Sequence, residues 1–246
     1  MNLQLNPYNS EKFGISMYDV SGLTGLEGES EVSDLLENID SKVDHISVKI
    51  PTDFKTCLNG FLRHGFDLVD TQIEFTRSLG YVPQARVPEG YRIRFFEPQD
   101  ISVVTSIARA SYRIDRWHSD PSLPDNACDE YYAEWVRSCA SGYADEILVA
   151  TYDEVPVGFM TLRTVGDEAG RIDLTAVDAA HRGRGVYRSL VQSALVWADD
   201  RGFAEMLATT QINNYGSQRT WEGEGFKSHA SWYVLHYSRA YDGGLE

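Results

Sequence analysis

Arg182-Gly183-Arg184-Gly185-Val186-Tyr187, preceded by the apolar run Ile172-Asp173-Leu174-Thr175-Ala176-Val177, is the stretch on which the fold of this chain turns. The order is a strand, a short polar turn with two glycines, and then a helix whose first N–H groups have no partner inside the helix. Such an end binds anions, phosphate above all. Gly183 and Gly185 admit positive φ and let the backbone approach phosphate oxygens, while Arg182, Arg184 and Arg188 add positive charge. The helix is expected from about Val186 to Arg201, because Val186, Leu190, Val191, Ala194, Leu195 and Ala198 recur at helical spacing and Gly202 supplies a stop. Taken alone, an arginine-rich turn is also a common solvated helix start, so its neighbours decide.

Composition narrows the partners. With 246 residues and 42% hydrophobic content, the chain can build one large or two small cores. A net charge of −15 argues against nucleic acid or an anionic membrane surface, whose binding draws on clustered Lys and Arg. Local arginines can still hold one pyrophosphate inside an acidic protein. No apolar run approaches the ~20 residues needed to span a bilayer. The start, Met1-Asn2-Leu3-Gln4-Leu5-Asn6-Pro7, has neither a basic region nor an apolar one that would direct export, so a cytoplasmic location is expected. Cys57, Cys128 and Cys139 have no metal-site spacing and read as reduced thiols; no metal is expected.

Working outward, a strand is expected over Tyr91 to Phe95, then helices near Asp100 to Ser111 and Asn126 to Cys139. Strands Ile147 to Tyr152, Pro156 to Val165 and Arg171 to Val177, separated by Asp153-Glu154 and by Gly166 to Gly170, should form an antiparallel meander. A right-handed crossover through the helix at Val186 would set Met206 to Gln211 parallel to the Arg171 to Val177 strand. The N-terminal part echoes the C-terminal part. A strand His45 to Ile50, a helical stripe Phe54, Cys57, Leu58, Phe61 and Leu62 behind a Thr52 or Asp53 cap, and a strand ending near Arg77 match Met206 to Gln211, a helix to Glu222, and a strand through Trp232 to His236. The pairs Gly65-Phe66 and Gly225-Phe226 lie about 160 residues apart, as in a remote duplication. The first copy has no glycine-arginine turn and reads as structural. Pro83, Pro88 and two glycines between Leu79 and Gly90 mark a short, stiff linker, giving a half-domain over residues 1–80, a linker over 81–90 and a main domain over 91–246.

Neither G-x-x-x-x-G-K-[ST] nor G-x-G-x-x-G with a later acidic residue is present. Arg182 to Tyr187 instead resembles motif A, Q/R-x-x-G-x-G/A, of the GCN5-related N-acetyltransferase (GNAT) superfamily, with Arg182 first, Gly185 second and Tyr187 where the family has Gly or Ala. Ile172 to Val177 resembles its fourth strand, and Met206 to Gln211 with Asn213-Asn214 and a short helix resembles its fifth strand and motif B. The whole chain, through the Arg116-Trp117-His118-Ser119-Asp120-Pro121 loop and the Tyr131-Tyr132-Ala133-Glu134-Trp135 helix, is similar to members that acylate nucleotide-linked amino sugars. The resemblance implies an α/β (α+β) GNAT fold, a mixed central sheet flanked by helices with a smaller N-terminal half-domain, and an expected homodimer.

It also implies a reaction. Acyl-CoA, carrying acetyl or a longer group such as 3-hydroxybutanoyl, would be the co-substrate, and the amine of a dTDP-linked amino-dideoxyhexose the acceptor; an amino acid, an aminoglycoside, a protein N-terminus, or a non-catalytic acyl-CoA-binding module are the alternatives. Leu174, Thr175, Ala176 and Val177 would meet the pantetheine arm and acyl carbonyl, Arg182, Gly183, Arg184, Gly185, Val186, Tyr187 and Arg188 the pyrophosphate, and Asn214 and Ser217 the arm again. Asp173 alternates with Leu174 and could take a proton from the amine, or equally stand as an exposed polar residue. The family's acidic tyrosine maps to Trp221, whose indole N–H donates a hydrogen bond but delivers no proton near neutral pH; Tyr215 is the nearest alternative phenol. Arg113, Arg116, His118 and Asp120 are candidates for the sugar or its pyrophosphate, and Trp117, Tyr131, Tyr132 and Trp135 for an aromatic wall, with core packing the competing role for the rings.

Overall fold

The computed structural model describes residues 1–37, 39 and 42–239. In chain order the elements are β1 (Asn2–Leu5), α1 (Pro7–Phe13), β2 (Met17–Ser21), α2 (Glu29–Glu37), β3 (His45–Pro51), α3 (Lys55–Arg63) and β4 (Asp67–Ser78). They continue with β5 (Tyr91–Phe95), α4 (Ile101–Ser111), α5 (Asp125–Ser138), β6 (Glu146–Tyr152), β7 (Val155–Val165), β8 (Ala169–Val177), α6 (Val186–Asp200), β9 (Glu205–Gln211), α7 (Tyr215–Gly223) and β10 (Lys227–Ser238). Contacts divide the chain into two compact units, one of Met1–Ile73, Ile114–Cys128 and the chain from Ala230, the other of Glu74–Arg113 and Asp129–His229. Their bounds depart from a single cut at 81–90, because the loop before α5 and the end of β10 pack with the first residues.

In the first unit, β1 and β2 are antiparallel, α2 crosses over to a parallel β3, and β3 pairs antiparallel with β10. Val32, Ile46, Val48, Ile50, Phe61 and Leu235 form the centre of its core. The loop between β2 and α2 also carries glycines at positive φ, Gly22 at 71° and Gly25 at 85°. Its anion is internal: the Glu27 carboxylate, 5% exposed, accepts from Thr24 N at 2.7 Å, Thr24 Oγ1 at 2.9 Å and Gly25 N at 2.9 Å.

The repeat is closer than the sequence implies. β3, α3 and β4 recur as β9, α7 and β10 with every boundary displaced by one interval. The residues before the two helices share a backbone conformation, Phe54 at φ −84°, ψ 60° and Asn214 at φ −83°, ψ 64°. Phe54 makes no side-chain cap, so the expected Thr52 or Asp53 cap is absent; Thr52 Oγ1 instead bonds Ser231 Oγ at 2.7 Å. Phe54 and Phe61 thus stand in the first copy where Asn214 and Trp221 stand in the second.

The second unit carries the expected meander, with β5, β6, β7 and β8 in successive antiparallel pairs. β9 runs parallel to β8 through the α6 crossover. Leu79 to Gly90 is fastened along α6: Ser189 Oγ donates to the Arg86 carbonyl and Arg86 N to Gln192 Oε1, both at 2.8 Å. No helix among the described residues is long and apolar enough to cross a membrane.

Candidate active site

Two backbone features of the second unit meet at the C-terminal end of β8. The first is a splay. β8 and β9 pair only from Ala169↔Glu205 to Ile172↔Ala208, although β8 runs on to Val177 and β9 to Gln211. A bulge accompanies it, since Thr161 of β7 stands opposite both Asp173 and Leu174. Bulges re-aim a strand and end its pairing. Thr161 Oγ1 accepts the Leu174 N–H at 2.9 Å, so that donor is spent toward β7, and Thr175, next along the strand, turns its backbone groups to the open side.

The second feature is the turn itself. Asp178 caps a short 3₁₀ turn, Ala179–His181, through Ala180 N at 2.9 Å. Arg182 then runs extended, and its Nε holds the Val177 carbonyl at 2.8 Å. Gly183 and Gly185 take φ of 73° and 85°, a region that a side chain disfavours. Gly185 is the residue before α6 and no side chain caps that helix end. Residues 182–185 are exposed. A helix start with no side-chain cap among the described residues, entered through an exposed turn, suits an anion.

The three arginines divide their work. Arg182 ties the turn to β8, and Arg188 pairs with Glu224 at 3.1 Å. Among the described residues Arg184 keeps its guanidinium unpaired and available. The Tyr187 ring leans from the first turn of α6 to α7, where its hydroxyl is enclosed beside Ser217 and Trp221 without a hydrogen bond of normal geometry. Burial pushes that phenol well above its ordinary range. Asn214 accepts from Ser217 N at 3.4 Å as the α7 cap and donates to Thr210 Oγ1 at 2.9 Å.

The residues read for proton transfer are less open. Both Asp173 oxygens are held by Arg163, Nε at 2.8 Å and Nη2 at 3.3 Å. Trp221 is 2% exposed and packs on Phe75 and Phe226. Tyr215, 61% exposed, stands at the start of α7. Sequence reasoning passed over Tyr112, whose hydroxyl donates to the Thr175 carbonyl at 3.1 Å and whose ring stacks on Tyr132 with centroids 4.1 Å apart. Tyr132, stacked in turn on Trp135, is 6% exposed, so its ring is packing between its two neighbours. The one sequence signal for Tyr112 is its place immediately after α4.

Of the acceptor candidates, Arg113 lies in this unit and pairs with Asp129. Arg116, His118 and Asp120 fall in the first unit. There Arg116 lies over the Trp117 ring, which is 1% exposed and core rather than wall. His118 Nδ1 meets Asp115 at 2.7 Å. Asp120 is buried and holds two histidines on one oxygen, His45 Nε2 at 2.9 Å and His236 Nδ1 at 2.7 Å, while its other oxygen accepts from Ser122. Both polar side chains are therefore spent inside the protein. His45, Asp120 and His236 form the group among the described residues that could present three ligands to a cation. Their separations are hydrogen-bond lengths, shorter than the edge of roughly 3.3 Å that tetrahedral zinc with bonds of about 2.0–2.1 Å would impose. All three cysteines are buried and form no disulfide among the described residues, and burial pushes the Cys57 thiol to about 11 and the Cys139 thiol to about 12. Neither of these two offers a thiolate near neutral pH.

Known proteins resemble this chain in sequence and fold. The model of the acetyltransferase (GNAT) family matches residues 110–226. The spore coat polysaccharide biosynthesis protein SpsD of Bacillus subtilis is 28% identical over 140 residues, covering 57% of this chain but only 48% of that relative. The chain thus spans about half of that relative's length. The dTDP-fucosamine acetyltransferase of Escherichia coli is 26% identical over 192 residues, 76% of this chain and 80% of that relative. Among solved structures, a GCN5-related N-acetyltransferase from Sphaerobacter thermophilus superposes with a TM-score of 0.67 at 16% identity, over 96% of this chain and 75% of that one, a likeness of fold.

Proposed function

This chain carries a GNAT acetyltransferase domain, and from that premise we propose that it moves an acyl group, acetyl or a longer one such as 3-hydroxybutanoyl, from acyl-CoA to the amino group of a dTDP-linked amino-dideoxyhexose. The observation that carries the reading is the junction of the β8–β9 splay with the uncapped start of α6. The pyrophosphate sits on the N–H groups around Gly183 to Tyr187 with Arg184 beside it, and the pantetheine arm lies along the open edge of β8 toward Asn214 and Ser217. The thioester carbonyl is polarised by the backbone N–H groups of Thr175 and Val177, fixed dipoles that need no rearrangement during the reaction.

The amine attacks directly, with donor and acceptor bound together, so that positioning supplies much of the rate. An unassisted thiolate, of thiol pKa about 8.5, is a tolerable leaving group. Loss of a phenol at position 221 therefore slows the reaction without forbidding it. The amino-sugar acceptor is supported by what the two curated relatives are named for, polysaccharide biosynthesis and dTDP-fucosamine. The half-buried Tyr112 and Trp135 rings, stacked on either side of Tyr132, are of the kind a sugar or base packs against. A cytoplasmic homodimer belongs to the same proposal.

Thiol release from acetyl-CoA, followed with a panel of dTDP-linked amino sugars, amino acids, aminoglycosides and N-terminal peptides, tests it. A dTDP-amino sugar should give the highest kcat/KM. Equal or greater turnover with another amine would reassign the acceptor.

A further inference from the structure

We infer that Tyr112 is the proton donor to the departing CoA thiolate, a role that rests on the acyl-transfer reading above. A proton supplied at the carbonyl end of the pantetheine arm speeds departure of the thiolate, and the position after β9 that would supply a phenol holds an indole. Trp221 is shut into the core between Phe75 and Phe226. Three other phenols of this unit are less well placed. Tyr215 is directed to solvent, Tyr91 Oη bonds His181 Nδ1 at 2.9 Å, and the Tyr187 hydroxyl is enclosed under α6.

Tyr112 reaches the open edge of β8. Its hydroxyl lies 3.1 Å from the Thr175 carbonyl. Leu174 faces β7 through Thr161, so by the alternation of a strand Thr175 faces the side on which pairing with β9 has already ended at Ile172↔Ala208. The phenol therefore stands in the gap that the thioester would enter. Stacking at 4.1 Å and 17° on Tyr132 holds the ring in place. The Thr175 carbonyl is a resting partner for the hydroxyl, which can turn to a sulfur arriving on the same edge.

The step balances without any further reactant. The amine nitrogen bonds to the acyl carbon, the C–S bond breaks with its electron pair passing to sulfur, and the Tyr112 O–H proton passes to that sulfur. The phenolate regains a proton from the nitrogen that has just formed the amide, through water. The products are the amide and free CoA thiol.

Tyr112→Phe keeps the ring stack and removes only the hydroxyl. Steady-state rates with acetyl-CoA and the best acceptor should show kcat lowered on the order of a hundredfold with KM for acetyl-CoA within twofold. A purely structural role predicts instead a raised KM with kcat unchanged. An active wild type with an equally active variant, or that KM pattern, overturns the proton-donor role alone. A wild type that binds CoA yet releases no thiol with any amine overturns the acyl-transfer reading and this role with it.

Discussion

Acidification should weaken the first unit through one histidine. Burial drives the His236 pKa down to about 3, against 6.5 for an ordinary histidine, with the bond to Asp120 opposing that shift and His45 and Arg116 adding to it. The native state therefore leaves His236 neutral while the unfolded chain takes up a proton below about pH 6.5. With a depressed histidine pKa the unfolded state binds more protons between pH 6.5 and 3, so stability falls as pH falls through that window. The slope approaches about 1.4 kcal/mol per pH unit, which between pH 7 and pH 5 integrates to about 2 kcal/mol. Asp120, held far below its usual range against the desolvation of its site by His236, His45 and Ser122, adds its own acid sensitivity only as the unfolded carboxylate protonates near pH 4. Other groups titrate as well, so the informative quantity is the difference between wild type and His236→Gln, an uncharged side chain that keeps an N–H donor. Urea unfolding of the intact chain at pH 7, 6 and 5 should show the wild type losing about 2 kcal/mol relative to the variant. A difference that stays constant across these pH values would refute the buried neutral histidine.

Three further outcomes follow from the geometry. Arg184→Ala removes a guanidinium with no ion pair among the described residues and should weaken CoA binding about tenfold or more, as expected for a charge-assisted contact, when measured by calorimetry. Gly185→Ala places a Cβ at φ 85° and 3.4 Å from Pro88; it should cost about 1 kcal/mol in stability and impair CoA binding, with unchanged binding counting against a close backbone approach there. Trp221→Phe keeps an aromatic in the core and removes an indole N–H that makes no hydrogen bond of normal geometry among the described residues, so most turnover should remain; a loss of about a thousandfold at unchanged acyl-CoA affinity would restore the indole to the chemistry.

Much of the second unit could be read from local pattern. Its strands are joined by turns such as Asp153-Glu154, both residues at positive φ, and the α6 stripe ends at Gly202 at φ 73°. β1 to α2 escaped notice because β1 is four mostly exposed residues and the β2–α2 loop hides its anion as Glu27. Asp120 and His118 look like exposed polar residues of a loop, yet Asp120 finds His45 and His236 at separations of 75 and 116 residues. Nothing local announces such partners. The Asp173–Arg163 pair has the same origin, since a bulge at Thr161 decides which way the carboxylate turns and a bulge leaves no mark in the alternation of β7.

The proposed donor site is the splayed β8 edge with the start of α6, and the proposed acceptor is a sugar amine. Mass spectrometry of a reaction containing acetyl-CoA and a dTDP-linked amino sugar tests both together. An acetylated nucleotide sugar should form in equal amount to free CoA, and with Arg184→Ala the same product should need a higher acetyl-CoA concentration. CoA released without an acetylated sugar, or an acetylated sugar whose formation is indifferent to Arg184 and Gly185, would contradict the proposal.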